Sequence, residues 1–144
     1  MGTDVQCFGA CGGLTVRRAW NAHAGDKVTS NTDRETTSGP PRVERDVTAR
    51  GVRMRVIEAG AGHATPIVLI HDLLDSHEGF ENLIDRLATQ FHVVAPDLPG
   101  FGRSEKPNVA RYAYGVDTFA GAVADVISAY DLGRARIIGH GLGG

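Results

Sequence analysis

Between residues 67 and 138, short apolar runs alternate with segments of helical period, and that alternation leaves few folds open. Ile67-Val68-Leu69-Ile70 is continuous and rich in branched side chains, a pattern suited to a strand buried on both faces. Phe91–Ala95 is a second run of this type, and Arg136-Ile137-Ile138 is another. Between the first two, Phe80, Leu83, Ile84 and Leu87 recur at helical spacing. Glu78 and Glu81 stand in the first turns, where the helix dipole favours acids. A second helix is predicted from about Val116 to Tyr130, burying Phe119, Val123, Val126 and Ile127 and ended by Leu132-Gly133. Upstream, Val43 to Thr48 and Val52 to Val56 read as strands around a turn at Arg50-Gly51. In the second of these, Val52, Met54 and Val56 face one way and Arg53 and Arg55 the other. The order is strand, strand, strand, helix, strand, helix, strand. It predicts an α/β fold with a mostly parallel sheet and an N-terminal antiparallel hairpin.

This structured part is expected over residues 42–144, as one domain. Residues 1–41 show no sustained period, are rich in Gly, Thr, Ser, Asn and Asp, and end in Ser38-Gly39-Pro40-Pro41. Such composition buries too little apolar surface to offset its ordering entropy, so a disordered tail is expected there. Cys7 and Cys11 lie within it; a zinc site would need a second ligand pair at set spacing, so no metal is expected. Met1-Gly2 opens like a myristoylation site, but Gln6 stands where Ser or Thr is wanted. A net charge of −2 gives no reason to expect nucleic acid or an anionic membrane as partner. No stretch reaches the roughly 18–20 apolar residues of a membrane span, and the N-terminus has no apolar signal region. A reducing cytoplasm is the expected setting.

The last six residues, Gly139-His140-Gly141-Leu142-Gly143-Gly144, follow the apolar Ile137-Ile138 and look like a strand entering a tight turn. Gly139, Gly141 and Gly144 match G-x-G-x-x-G, in which glycines let backbone approach a pyrophosphate. That fingerprint also needs a following helix and an acidic residue about 20 positions on, and neither is present in this sequence. The other reading is a sharp turn of the G-x-S-x-G kind, which needs small residues on both sides of a central nucleophile. Gly139, Gly143 and Gly144 meet that need, and Gly141 holds the nucleophile position without a side chain.

Upstream context separates the two readings. Ile67-Val68-Leu69-Ile70-His71, the block Ala95-Pro96-Asp97-Leu98-Pro99-Gly100-Phe101-Gly102-Arg103-Ser104-Glu105-Lys106-Pro107 and the terminal turn stand in fixed order. Together they resemble the α/β-hydrolase superfamily over about residues 43–144. The nearest branch in appearance is that of epoxide hydrolases, haloalkane dehalogenases, haloperoxidases and carboxylesterases. The resemblance implies an incomplete α/β-hydrolase fold reaching only to the nucleophile elbow. It implies hydrolysis of an ester, epoxide or related small substrate, with no cofactor. Family members carry His-Gly after the third strand, and the next backbone N–H forms half of an oxyanion hole. Here the pair is His71-Asp72, so Leu73 would be one donor and Leu142 the other. A carboxylate at Asp72 would oppose negative charge developing there, and Asp lacks the backbone freedom of Gly. His140 corresponds to the common His of G-H-S-x-G and is not the family's base.

A Ser or Asp nucleophile is expected at position 141, and Gly141 is neither. The family's catalytic acid and histidine come from later strands, so inactivity of the chain as given is the expectation. Two alternatives stay open: a non-catalytic interaction protein completed by a partner chain, and a piece of a longer active hydrolase. His71, Asp72, Asp75, His77 and Glu78 cluster, but not at metal-ligand spacing, and read as a polar loop entering a helix. Asp97 and Arg103 are expected to hold the loop after the fourth strand. Tyr112 and Tyr114 read as packing or rim residues. The strand ending at Ile138 is expected to be an exposed apolar edge, which invites aggregation.

Overall fold

The structure, a computed structural model, describes residues 39–144. The tail expected over residues 1–41 lies, up to residue 38, outside the described residues, as do Cys7, Cys11 and the Met1-Gly2 opening. Five strands and two helices follow one another: β1 (Arg42–Ala49), β2 (Val52–Ala59), β3 (Pro66–Ile70), α1 (Glu81–Leu87), β4 (His92–Pro96), α2 (Val116–Ala129) and β5 (Arg136–Gly139). A 3-10 turn, His77–Phe80, leads into α1, and another, Gly141–Gly143, follows β5.

β1 and β2 form the expected hairpin, with Ala49 opposite Val52. Its two-residue loop has positive φ at both Arg50 (51°) and Gly51 (73°), the pairing whose twist matches that of the flanking strands. Arg50 is held there by its N–H donating to Asp125 Oδ2 on α2 at 2.9 Å. The sheet order is β1-β2-β4-β3-β5. The β1–β2 and β2–β4 pairings are antiparallel, and β4–β3 and β3–β5 are parallel. The sheet is therefore mixed and open: its parallel part is the β4-β3-β5 triplet, and the hairpin extends it in antiparallel sense.

Right-handed crossovers decide which faces the helices cover. α1 connects β3 to β4 in one direction across the sheet; α2 connects β4 to β5 in the other, past β3. The helices thus fall on opposite faces, and the side chains divide accordingly. Met54, Val56, Val68, Ile70 and Val94 pack with Phe119, Ala122, Val123 and Val126 of α2. Ile57, Ile67, Leu69, Val93 and Ala95 pack with Ile84 and Ala88 on the α1 side. Consecutive residues of β3 alternate between the two clusters, which is why this run carries no polar position. Burying a side chain the size of Leu69 or Ile84 contributes roughly 1.5–3 kcal/mol. β5 is different. It bonds to β3 on one side and, among the described residues, to no strand on the other. Ile137 is 55% exposed, although its apolar run reads as that of an interior strand.

Candidate active site at the ends of two parallel strands

β3 leads to β4 on one side, while β5 lies on its other side. This reversal leaves a crevice beyond the carboxyl ends of β3 and β5, where open α/β sheets bind ligands. The segments there are His71 to Asp75 and His140 to Gly144.

The loop after β3 is pinned from below. His71 is fully buried; its Nδ1 lies 2.7 Å from the Asp72 carbonyl oxygen, and its Nε2 accepts the Leu98 N–H at 2.9 Å. These bonds require the tautomer with hydrogen on Nδ1. His71 thereby ties the ends of β3 and β4 together and has no free ring nitrogen. A turn follows, with Asp75 N–H donating to Asp72 O at 3.2 Å and Leu74 at φ 62°. Leu74, not Asp72, carries the left-handed conformation in this loop, so the backbone freedom expected to matter at position 72 is called on two residues later.

The loop after β5 is pinned from its side. His140 N–H donates to Ile70 O at 3.0 Å, continuing the β3–β5 ladder by one step. Gly141 then takes φ 55°, the sharp left-handed bend that glycine adopts without steric cost. The chain folds back so closely that a methyl group on Gly139 would strike the carbonyl of Gly143, and one on Gly143 the carbonyl of Ile70.

Asp72 joins the two loops. Its Oδ1 accepts the Leu73 N–H and the Leu142 N–H, each at 2.7 Å. A methyl group added at Gly141 would fall on the Asp72 carboxylate itself, so that carboxylate fills the space a side chain at position 141 would take. The N–H groups of Leu142 and then Leu73 hold its carboxyl below the usual range, against a smaller opposing effect of burial, with His140 adding to the lowering. Leu73, Leu142, Asp72 and Gly141 are thus brought together around one oxygen. His71 braces them from beneath, and Gly139 and Gly143 permit the bend.

A second carboxylate supports this edge. Asp97 is fully buried. Its Oδ1 accepts His77 N–H and faces His77 Nδ1, both at 2.8 Å, and its Oδ2 accepts Arg103 N–H at 2.7 Å. Burial alone would raise its pKa, but the His77 ring, the His77 N–H and the Arg103 N–H together bring it below the ordinary value. Ser104 closes the loop by donating to Asp97 O at 2.7 Å and accepting Arg55 N–H at 2.8 Å. Asp97 and the backbone of Arg103 hold the turn, as the sequence suggests; the Arg103 guanidinium reaches outward to Glu44 at 2.8 Å. His77 had no sequence signal for this role, because its partner sits on the neighbouring strand's loop. An aromatic row runs away from the site, from His71 to Phe101, Phe119 and Tyr114, with Tyr112 edge-on to Tyr114. Among the described residues, no three His, Cys, Asp or Glu side chains are placed to hold a metal ion. No described helix is long and apolar enough to cross a membrane.

The fold agrees with comparison to known proteins. The family model for the alpha/beta hydrolase fold matches residues 65–144. An uncharacterised protein of Mycobacterium tuberculosis is 40% identical over 97 residues, which are 67% of this chain and 27% of that protein. A soluble epoxide hydrolase of Corynebacterium sp. strain C12 is 39% identical over 94 residues, 65% of this chain and 31% of that one. The solved structure of the epoxide hydrolase CorEH superposes with a TM-score of 0.63 at 35% identity, covering 72% of this chain and 35% of that one. The chain belongs to the α/β-hydrolase-fold family. It spans less than a third of the length of these two curated relatives.

Proposed function

We propose that this chain supplies the oxyanion-binding half of a hydrolase site for a small ester, epoxide or related substrate, and that it does not turn such substrates over by itself. The observation that carries the reading is the convergence of the Leu73 and Leu142 N–H groups on a single oxygen, 2.7 Å from each. Two fixed backbone donors at that distance suit an oxygen on which negative charge develops. In this chain that place is taken by Asp72. A serine-type attack is closed to it, because Gly141 has no side chain and the space above it is filled. The similarity to a soluble epoxide hydrolase supports the substrate class.

Two measurements test this. The purified 144-residue chain is expected to hydrolyse p-nitrophenyl acetate no faster than buffer; turnover above buffer overturns the statement of inactivity. In the Asp72→Gly variant the two donors are vacated. Adding methylphosphonate, a small tetrahedral oxyanion, is then expected to shift the amide resonances of Leu73 and Leu142 together. If neither moves at millimolar phosphonate, the oxyanion reading falls.

A second reading is favoured by β5. Its outer edge, unpaired among the described residues, and the exposed Ile137 border an apolar groove of about 310 Å³ along α2, lined by Ile70, Phe119, Val123, Ile127 and Leu142. A partner segment that completes the sheet would cover both. Recovery of a stoichiometric complex from cells supports this reading, and recovery only as aggregate counts against it.

A further inference from the structure

The loop that presents the Leu73 N–H is held at its two ends and little in between. Leu73 is 55% exposed and Leu74 86%, so burial of its own apolar side chains fixes almost nothing. Asp75 turns its carboxylate back on the Ser76 N–H at 2.8 Å, a bond within the loop. The ends are different. At the start, His71 Nε2 accepts the Leu98 N–H at 2.9 Å. At the far end His77 meets Asp97: its backbone N–H donates to Oδ1 at 2.8 Å, and its ring Nδ1 lies 2.8 Å from the same oxygen. An ionised carboxylate only accepts, so that ring nitrogen carries the hydrogen. Asp97 and Leu98 are consecutive, with Cα atoms about 3.8 Å apart. Two buried histidines, His71 and His77, therefore close the loop onto neighbouring residues behind β4, much as the ends of an Ω-loop are brought together.

We infer that His77 is a positioning residue for the donor pair: through Asp97 it fixes the far end of this loop and so sets where the Leu73 N–H points. The inference rests on the oxyanion reading above for the use of that N–H, while the clamp itself stands on geometry. One residue placing two donors on one oxygen closes a small ring of bonds, and that ring fixes the backbone and side chain of His77 together. Asp97 is held in turn, because it is fully buried and its Oδ2 accepts the Arg103 N–H at 2.7 Å. Ser76 carries the constraint into the loop: its hydroxyl oxygen accepts the Glu78 N–H at 3.3 Å and starts the 3-10 turn at His77. The ring bond is the separable part. A side chain without a donor at residue 77 leaves Asp97 its two backbone partners, so no buried acceptor is orphaned and the loss falls on the loop. The other hold on the loop is Asp72, whose Oδ1 takes the Leu142 N–H at 2.7 Å. In the Asp72→Gly variant that hold is gone, and the two histidine anchors position Leu73.

The test is amide hydrogen exchange of the full chain, comparing the parent with His77→Ala and His77→Asn. Asn places an N–H where His77 Nδ1 stands; Ala does not. In His77→Ala, protection at Leu73 and Asp75 is expected to fall about tenfold more than at Val68 and Val94 of the core, the low end of what a hydrogen bond to an ionised acceptor supplies. His77→Asn is expected to restore most of that protection. An equal loss in loop and core, no loss at Leu73, or an Asn variant no better than Ala overturns the inference. If both variants fail to fold, the His77 ring of the parent decides: nitrogen NMR is expected to show hydrogen on Nδ1, and hydrogen on Nε2 alone overturns the inference. In the Asp72→Gly background, adding His77→Ala is expected to weaken methylphosphonate binding at least about threefold, because the donor is no longer pre-organised. The two readings fail separately. Amides of Asp72→Gly that ignore phosphonate refute the oxyanion site, and the exchange result then decides the clamp by itself.

Discussion

Replacing Asp97 by Asn is expected to remove about 3–5 kcal/mol of stability, although the substitution changes almost no volume. The carboxylate accepts three hydrogen bonds at 2.7–2.8 Å with no exposure to water. An Asn oriented to keep both bonds to His77 turns its amide nitrogen toward the Arg103 N–H, setting donor against donor. The lost bond had an ionised acceptor, worth roughly 1.5–3 kcal/mol, and a buried N–H without a partner costs about 1–3 kcal/mol more. The two remaining bonds fall from charge-assisted to neutral strength, roughly half. These contributions overlap, so the total lies below their sum. The opposite orientation is worse, because two donors of His77 then meet the amide nitrogen. Against the roughly 5–15 kcal/mol that holds a typical domain, such a loss lowers Tm by more than about 10 °C. The assay is urea and thermal unfolding followed by far-UV circular dichroism, with Asp85→Asn as control. Asp85 pairs with Arg42 at 2.7 Å at the surface, and its loss is expected to cost under about 1 kcal/mol. An Asp97→Asn chain within 0.5 kcal/mol of the parent, or indistinguishable from Asp85→Asn, would refute the reasoning that burial and geometry, not charge alone, set the cost.

Two further predictions concern the edge and the acid limit. Ile137→Lys puts a charge on the exposed side of β5 and is expected to shift the chain from associated species toward monomer on gel filtration; a parent chain that is already monomeric with a sharp two-state melt would contradict the edge argument. Asp72 and Asp97 both have folded pKa values below their ordinary 3.8, so their contribution is fully present above that pH and is lost as pH falls through the depressed folded values. Stability measured from pH 7 downward should therefore hold to about pH 4 and then fall, and Asp72→Asn should flatten part of that fall; a parent chain losing stability mainly between pH 7 and 5 would show that other groups govern it.

The sequence by itself determined the elements and their order. β3 carries a continuous apolar run and β4 carries one after His92, Val93-Val94-Ala95, because each face of those strands meets a helix, and α2 shows its buried side as Phe119, Val123 and Val126 at helical spacing. Such patterns are local, with periods of two and about 3.6 residues, so they survive reading along the chain. The strained turn at 139–144 was legible for the same reason: glycines at 139, 141 and 143 answer to close backbone approach and positive φ. The mixture of an antiparallel hairpin with parallel strands was legible; how the hairpin joins the parallel part was not. The antiparallel β2–β4 pairing joins strands distant in the chain, and local pattern does not state direction. Nor was the partner of His77, which is Asp97, or the bridging of β3 and β4 by His71. Asp72 shows the division most clearly. Read along the chain, its carboxylate merely stands near two donors and opposes their use. In three dimensions it accepts both N–H groups and fills the volume left by Gly141. Only the tertiary structure decided this, because the loops after β3 and β5 meet through the parallel pairing of strands far apart in sequence, and no local periodicity encodes where two such loops touch.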